Sequence, residues 1–120
     1  MKLGRKITGG KYIKRRKRRL HESPGQKRIV KLGDTKKKTK KTRGGDKKIF
    51  LLKDKFINIK SEKGKAKKLE IKNVVRTPSN RFLARQNILT KGTIVETEKG
   101  NAKITNRPSQ EGMINGIIID

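Results

Sequence analysis

"KIFLLK" at residues 48–53 and "KFINIK" at residues 55–60 decide how this chain folds. Both are short and rich in β-branched and aromatic residues, and in the second Phe56, Ile57 and Ile59 sit among polar neighbours. Such runs, separated by so little, are strands. "SEKGKAK" follows as a turn, and "KKLEIKNVVR" (67–76) sets Leu69 and Ile71 against charged neighbours before placing Val74 beside Val75, where a bulge or bend fits. "TPSN" (77–80) is a stop signal, since Pro78 pushes Thr77 out of helical geometry, and Ser79 or Asn80 can cap a short helix through "RFLARQ". Further on, Ala102, Ile104 and Asn106 alternate with Lys103, Thr105 and Arg107, between turn chemistry at residues 98–101 and 108–112. Strands at roughly 8 to 12 residue spacing imply a small sandwich or barrel. Closure removes exposed edges in so small a piece, so residues 49–120 are expected to form a small closed β-barrel and the chain to be mainly β.

The other half reads differently. Residues 1–48 hold 21 Lys+Arg against Glu22, Asp34 and Asp46, whereas residues 49–120 hold 15 against seven acids, out of a formal net charge of +26. Apolar residues are isolated here, as at Leu3, Ile7, Ile13 and Leu20, or confined to "RIVKL" at 28–32. Only 29% of the chain is hydrophobic, too little for every part to bury a core of its own. Residues 1–48 are therefore expected to be a basic arm, extended or disordered when free. Fully stretched it reaches at most about 160 Å, while a 72-residue body has a radius of gyration of about 11 Å.

A charge this large attracts polyanions. An anionic membrane surface would require an apolar anchor, and no run approaches the roughly 20 residues of a spanning helix, so no membrane partner is expected. The absence of cysteine excludes disulfides and thiolate metal sites, and no apolar stretch of secretory type follows the basic N-terminus. "GRKITGGK" (4–11) has the outline of a phosphate loop, but Gly10 occupies the lysine position, Tyr12 follows Lys11 and no buried strand precedes it; the glycines read as flexible backbone able to lie against phosphate. His21 is the single histidine and ends a basic run, and Glu96 and Glu98 form a solvated strand face. No catalytic set, metal, cofactor or small-molecule substrate is expected.

The basic segments carry the stronger signal. "KRRKRR" supplies Lys14, Arg15, Arg16, Lys17, Arg18 and Arg19; "KKKTKK" supplies Lys36, Lys37, Lys38, Lys40 and Lys41; "RGGDKK" supplies Arg43, Lys47 and Lys48. Arg5, Lys6 and Lys11 surround the first glycine pair, Tyr12 can stack on an unpaired base, and Arg81 and Arg85 share a face of the short helix. Each phosphate neutralised releases counterions. RNA suits an irregular arm better than DNA, because it offers grooves and single-stranded pockets, and no helix-turn-helix, zinc-finger or basic-zipper pattern is present.

"GRKITGGKY", the "KRRKRR" block, "TRGGDKK", "NVVRTPSNRFLARQNILTKGTIVETEKG" and "ITNRPSQEGMINGIII" together resemble, in order and over nearly the whole chain, the archaeal form of small-subunit ribosomal protein family eight, the type shared by archaea and eukaryotes. The resemblance implies a cytoplasmic ribosomal component whose partners are small-subunit ribosomal RNA and neighbouring ribosomal proteins, with the barrel seated on RNA and the arm threaded between RNA helices. By position it carries over to Arg5, Thr8, Gly9, Gly10 and residues 14–19, to Arg43, Gly44 and Gly45 as a loop, and to Pro78, Ser79 and Asn80. A tryptophan usual near the start is missing, Asp46 stands where an asparagine is usual, and the long insertion of eukaryotic members is absent. The competing functions are a freely diffusing RNA chaperone or translation factor, and a DNA-compacting protein.

Overall fold

The computed structural model describes residues 4–13, 15–60 and 64–119. Its strands are β1 (Lys31–Leu32), β2 (Lys36–Lys41), β3 (Lys47–Asp54), β4 (Phe56–Lys60), β5 (Ala66–Arg76), β6 (Ile94–Thr97), β7 (Gly100–Ile104) and β8 (Asn115–Ile118), with an α-helix, α1 (Arg81–Arg85), and a 3₁₀ turn (Leu20–Glu22). β4 to β8 close a barrel in sequence order, every neighbouring pair antiparallel except β8 and β4, which run parallel at the seam. The expected barrel is present.

Alternation fills it. Ile57 and Ile59 of β4, Leu69 and Ile71 of β5, Val95 of β6, and Ala102 and Ile104 of β7 point inward, joined by Leu89 and Ile114. Register shifts at Ile71/Asn73 and Val74/Arg76 let the long β5 bend from β4 on one side to β6 on the other, so Val74 is buried while Val75 is half exposed. Asn80 caps α1, its side-chain oxygen accepting the Phe82 amide proton at 2.9 Å, and Asn87 leaves the helix in the left-handed region at φ 52°. Of the "SEKGKAK" turn, residues 61–63 lie outside the described residues, and Gly64 adopts φ 76°.

"KIFLLK" belongs to a second sheet of order β1-β3-β2 and not to the barrel. β3 turns into β4 at Asp54, whose buried carboxylate accepts from the Thr35 hydroxyl (2.8 Å) and from the Lys55 (2.9 Å) and Phe56 (3.2 Å) amides, so that its charge has donors where water is excluded. Leu51 enters the barrel core, its amide shared between the Pro108 and Glu111 carbonyls. Val30 is buried too, because residues 30–32 bond to residues 87–89 through Leu89 N to Val30 O (2.8 Å) and Leu32 N to Asn87 O (2.9 Å). The charge boundary at residue 48 thus falls inside β3, and "KKKTKK", expected within an extended arm, is a strand. Lysine disfavours strands intrinsically, but pairing to a neighbour anchored in a core overrides that weak preference.

Described residues before Val30 are exposed throughout. The Cα radius of gyration is 20.6 Å, against about 14 Å for a compact chain of this length, and the longest dimension is 64 Å.

Gly116 sets the seam. A Cβ there would lie 2.6 Å from Ile57 Cδ1 and 2.9 Å from the Lys103 carbonyl oxygen. Gly116→Ala should therefore lower unfolding stability by about 1–3 kcal/mol, read from the urea midpoint. Gly44→Ala, with open space around it, serves as the near-neutral control.

Candidate nucleic-acid interface

The register of β2 against β3 places lysine opposite lysine at three of its six positions, Lys36/Lys53, Lys40/Lys48 and Lys41/Lys47. The parallel pairing of Lys31 with Lys53 extends the first pair to a row of three. Directly opposed like charges destabilise a sheet. The ion pairs among the described residues involve Arg16, His21 and Lys55 with Glu22, Asp34 and Glu70, so no carboxylate relieves the lysines of β2 or their β3 partners. β2 is also an edge strand with every residue exposed. The lysines block edge-to-edge pairing and leave a dense cationic ribbon in water.

The sharp end of this ribbon is the loop of residues 42–46. Its ends are held by the Thr42 amide (2.8 Å) and hydroxyl (3.1 Å), both donating to the Asp46 carbonyl, and by Gly45 N to Thr42 O at 3.2 Å. Gly45 sits at φ 90°, which a side chain rarely adopts. The backbone carbonyl of Asp46 thus closes the loop, leaving Arg43 to project from a fixed turn.

Beside the loop lies a cleft of about 880 Å³ lined by Arg28, Lys40, Lys41, Arg43, Lys47 and Lys48, with Thr42, Ile49, Phe50 and Gln110. Six cations and no carboxylate face it. The Arg28 guanidinium sits 3.8 Å from the Phe50 ring centroid, covering the ring and holding a planar cationic fork in place. Such a cleft suits phosphates at several positions and a planar group against the guanidinium.

Of the residues expected to bind RNA, the cleft gathers Lys40, Lys41, Arg43, Lys47 and Lys48, with Gly44 and Gly45 in the loop beside it. Lys36, Lys37 and Lys38 lie further along β2. Arg5, Lys6, Lys11 and Tyr12 form a separate tight turn: Arg5 bridges Lys11, Lys6 N donates to Gly10 O and Gly9 N to Lys6 O (2.9 Å each), Arg5 Nη1 donates to Gly9 O at 3.1 Å, and Lys6 Nζ is 5.7 Å from the half-exposed Tyr12 ring. The first glycine pair is therefore the corner of a turn, Gly9 standing at φ 77°, and not slack backbone. Arg81 and Arg85 are exposed on α1 and do not line this cleft.

Lys14 lies outside the described residues. Within the rest of its block, Arg16 Nη1 and Nη2 fork onto Glu22 at 3.0 and 2.8 Å, and Glu22 also accepts the Arg19 amide at 3.0 Å across the short 3₁₀ turn Leu20–Glu22. The guanidinium first, and the amide second, hold the Glu22 carboxyl below its ordinary pKa. Arg16 is thereby committed within the chain, while Arg15, Lys17, Arg18 and Arg19 remain exposed without an acidic partner among the described residues. Arg28, Phe50 and Gln110 were missed by sequence reasoning. Their one signal was "RIVKL", the single place in the first half where cations adjoin a short apolar run; Gln110, far off in the chain, had none.

A family model for ribosomal protein S8e matches residues 1–119 of the chain. The chain belongs to that family. It is 41% identical over 120 residues to a small ribosomal subunit protein eS8 of Methanococcus aeolicus, covering 97% of this chain and 92% of that protein. Proteins of the same description from Nanoarchaeum equitans and Staphylothermus marinus are each 43% identical, covering 96% and 97% of this chain and 91% and 92% of their own lengths. These matches agree with the resemblance carried by the sequence blocks, and they assign the chain to a family of structural ribosomal proteins and not of enzymes.

Two outcomes follow from the geometry. Lys40→Glu converts a like-charge pair with Lys48 into an opposite one, so it should stabilise the hairpin of the RNA-free protein by about 0.5–1 kcal/mol, read from amide exchange in β2 and β3. The Glu22–Arg16 clasp is complete above the ordinary carboxylate range and is lost as pH falls through the lowered value. A carbon-detected titration of Glu22 should show its midpoint below that of an ordinary glutamate, and Arg16→Ala should move it back up.

Proposed function

We infer that the protein is a structural constituent of the small ribosomal subunit in the cytoplasm, like the relatives that bear that description, and that it binds ribosomal RNA through its basic arm and through the cleft beside the residue 42–46 loop. The observation that carries this reading is the cleft itself: six cations, one of them the guanidinium that caps an aromatic ring, at the end of a hairpin whose opposed lysines have no counter-charge among the described residues. A polyanion supplies what the fold omits, neutralising the lysine rows and releasing its own counterions.

The arm and the cleft have different tasks in this scheme. Residues 4–26 make no contribution to the core in their described part, so they are free to follow RNA, with the tight turn around Gly9 and the Arg16–Glu22 clasp presetting two local shapes. Bonds between residues 30–32 and 87–89 fix the point from which the arm departs. Cations on the arm screen phosphates where RNA helices approach one another, and neighbouring ribosomal proteins complete the surroundings.

The test is the salt dependence of binding to a small-subunit ribosomal RNA fragment. Alanine at Arg43, Lys47 and Lys48 should reduce the magnitude of the log affinity against log salt slope by about one for each phosphate contact removed, with the barrel's unfolding midpoint unchanged. An unaltered slope would count against the cleft. A structural constituent should also stay with the subunit through moderate salt washing, whereas release there would favour a freely diffusing chaperone or translation factor.

A further inference from the structure

A second cleft, of about 510 Å³, shares Arg28 with the first and plays no part in the function proposed above. Its apolar surface comes from the half-exposed Ile29 and the partly buried Leu83, backed by the buried Val30, Ile88, Leu89 and Pro108, where the segment before β1 meets the end of α1 and the loop after β7. Lys27, Arg28, Lys91 and Arg107 supply positive charge around it, and Ser79, Thr90, Ser109 and Gln110 supply hydroxyl and amide groups. No carboxylate lines it. Arg28 and Gln110 line both clefts, which makes the two neighbours along one surface.

We propose that this second cleft takes one unpaired nucleotide of single-stranded RNA, its base on the apolar surface and its flanking phosphates on Lys91, Arg107 and Arg28. The proposal rests on the RNA-binding reading and adds to it a site for a base. Six of the ten residues lining the first cleft are cations, so it reads phosphate ahead of base identity. The second combines what an unstacked base needs: an apolar bed, hydrogen-bonding groups able to meet its edges, and cations at the rim for the backbone. Continuity through Arg28 gives the strand a route from one to the other, since a phosphodiester leaving the lysine hairpin crosses that guanidinium before the base reaches the apolar surface at Ile29. An acidic peptide would find the same rim, and its carboxylates could accept from the hydroxyls, but it brings no flat apolar face to lie against Ile29 and Leu83.

The experiment uses the full chain with two RNA probes of one sequence, a single strand carrying one 2-aminopurine and its duplex. Binding of the single strand should raise 2-aminopurine emission as the base leaves its stack. Ser79→Leu, at an exposed turn position lining only the second cleft, should weaken single-strand binding about tenfold and abolish that rise, with duplex affinity within twofold of the unaltered chain. The double variant Lys91→Glu, Arg107→Glu should likewise weaken single-strand binding more than duplex binding, and it tests the site without filling it. Unchanged emission on binding, or single-strand affinity insensitive to both variants while the duplex still binds, overturns the nucleotide site and leaves the phosphate-reading cleft standing. Displacement of the bound single strand only from the first cleft, with an acidic peptide taking the second, also overturns it. Failure of the unaltered chain to bind either RNA overturns both.

Discussion

Leu51 and the Asp54 corner together force a strand of lysines to lie beside another. Leu51 is locked in the barrel core, and its chain cannot leave that position without opening a cavity there. Asp54, accepting from one hydroxyl and two amides at the β3–β4 junction, fixes the direction in which β3 runs away from the barrel. β2 then has one place to pair, and pairing there sets Lys40 against Lys48 and Lys41 against Lys47. Repulsion that would undo an isolated hairpin is held in place by packing elsewhere. The cationic cleft is a consequence of that constraint.

This ordering explains what the sequence disclosed and what it did not. Period-two alternation at Ile57/Ile59, Leu69/Ile71 and Ala102/Ile104 is a local signal, and the barrel could be read from it. The Val74-Val75 bulge and the Asn80 cap were equally local. By contrast "KKKTKK" carries no strand signal at all, since its strand state comes from Leu51, ten or more residues away. Arg28 likewise acquires its position from Phe50, and Gln110 from the loop that receives the Leu51 amide. Long-range contacts of this kind leave no trace in spacing, which is why the cations were legible as a class while the cleft that groups five of them was not.

The blocks that resemble the family also separate by physical role. "TRGGDKK" is the loop, where Gly45 needs its positive φ, and the first two residues of β3; "TPSN" is the cap of α1; "GRKITGGKY" is a turn that stands apart from the barrel. Asp46, standing where an asparagine is usual, keeps the role the loop requires because Thr42 bonds to its backbone carbonyl and not to its side chain. The barrel is thus a support, and most of the charge lies on elements it holds out into solvent.

Hydrogen exchange on the full chain, free and bound to a small-subunit ribosomal RNA fragment, tests the central claim most directly. Barrel amides in β4 to β8 should be protected in both states, while those of β2 and the outer half of β3 should exchange quickly in the free protein and slow by at least tenfold on binding, as phosphate replaces lysine–lysine repulsion. Equal protection of the hairpin with and without RNA would contradict the account.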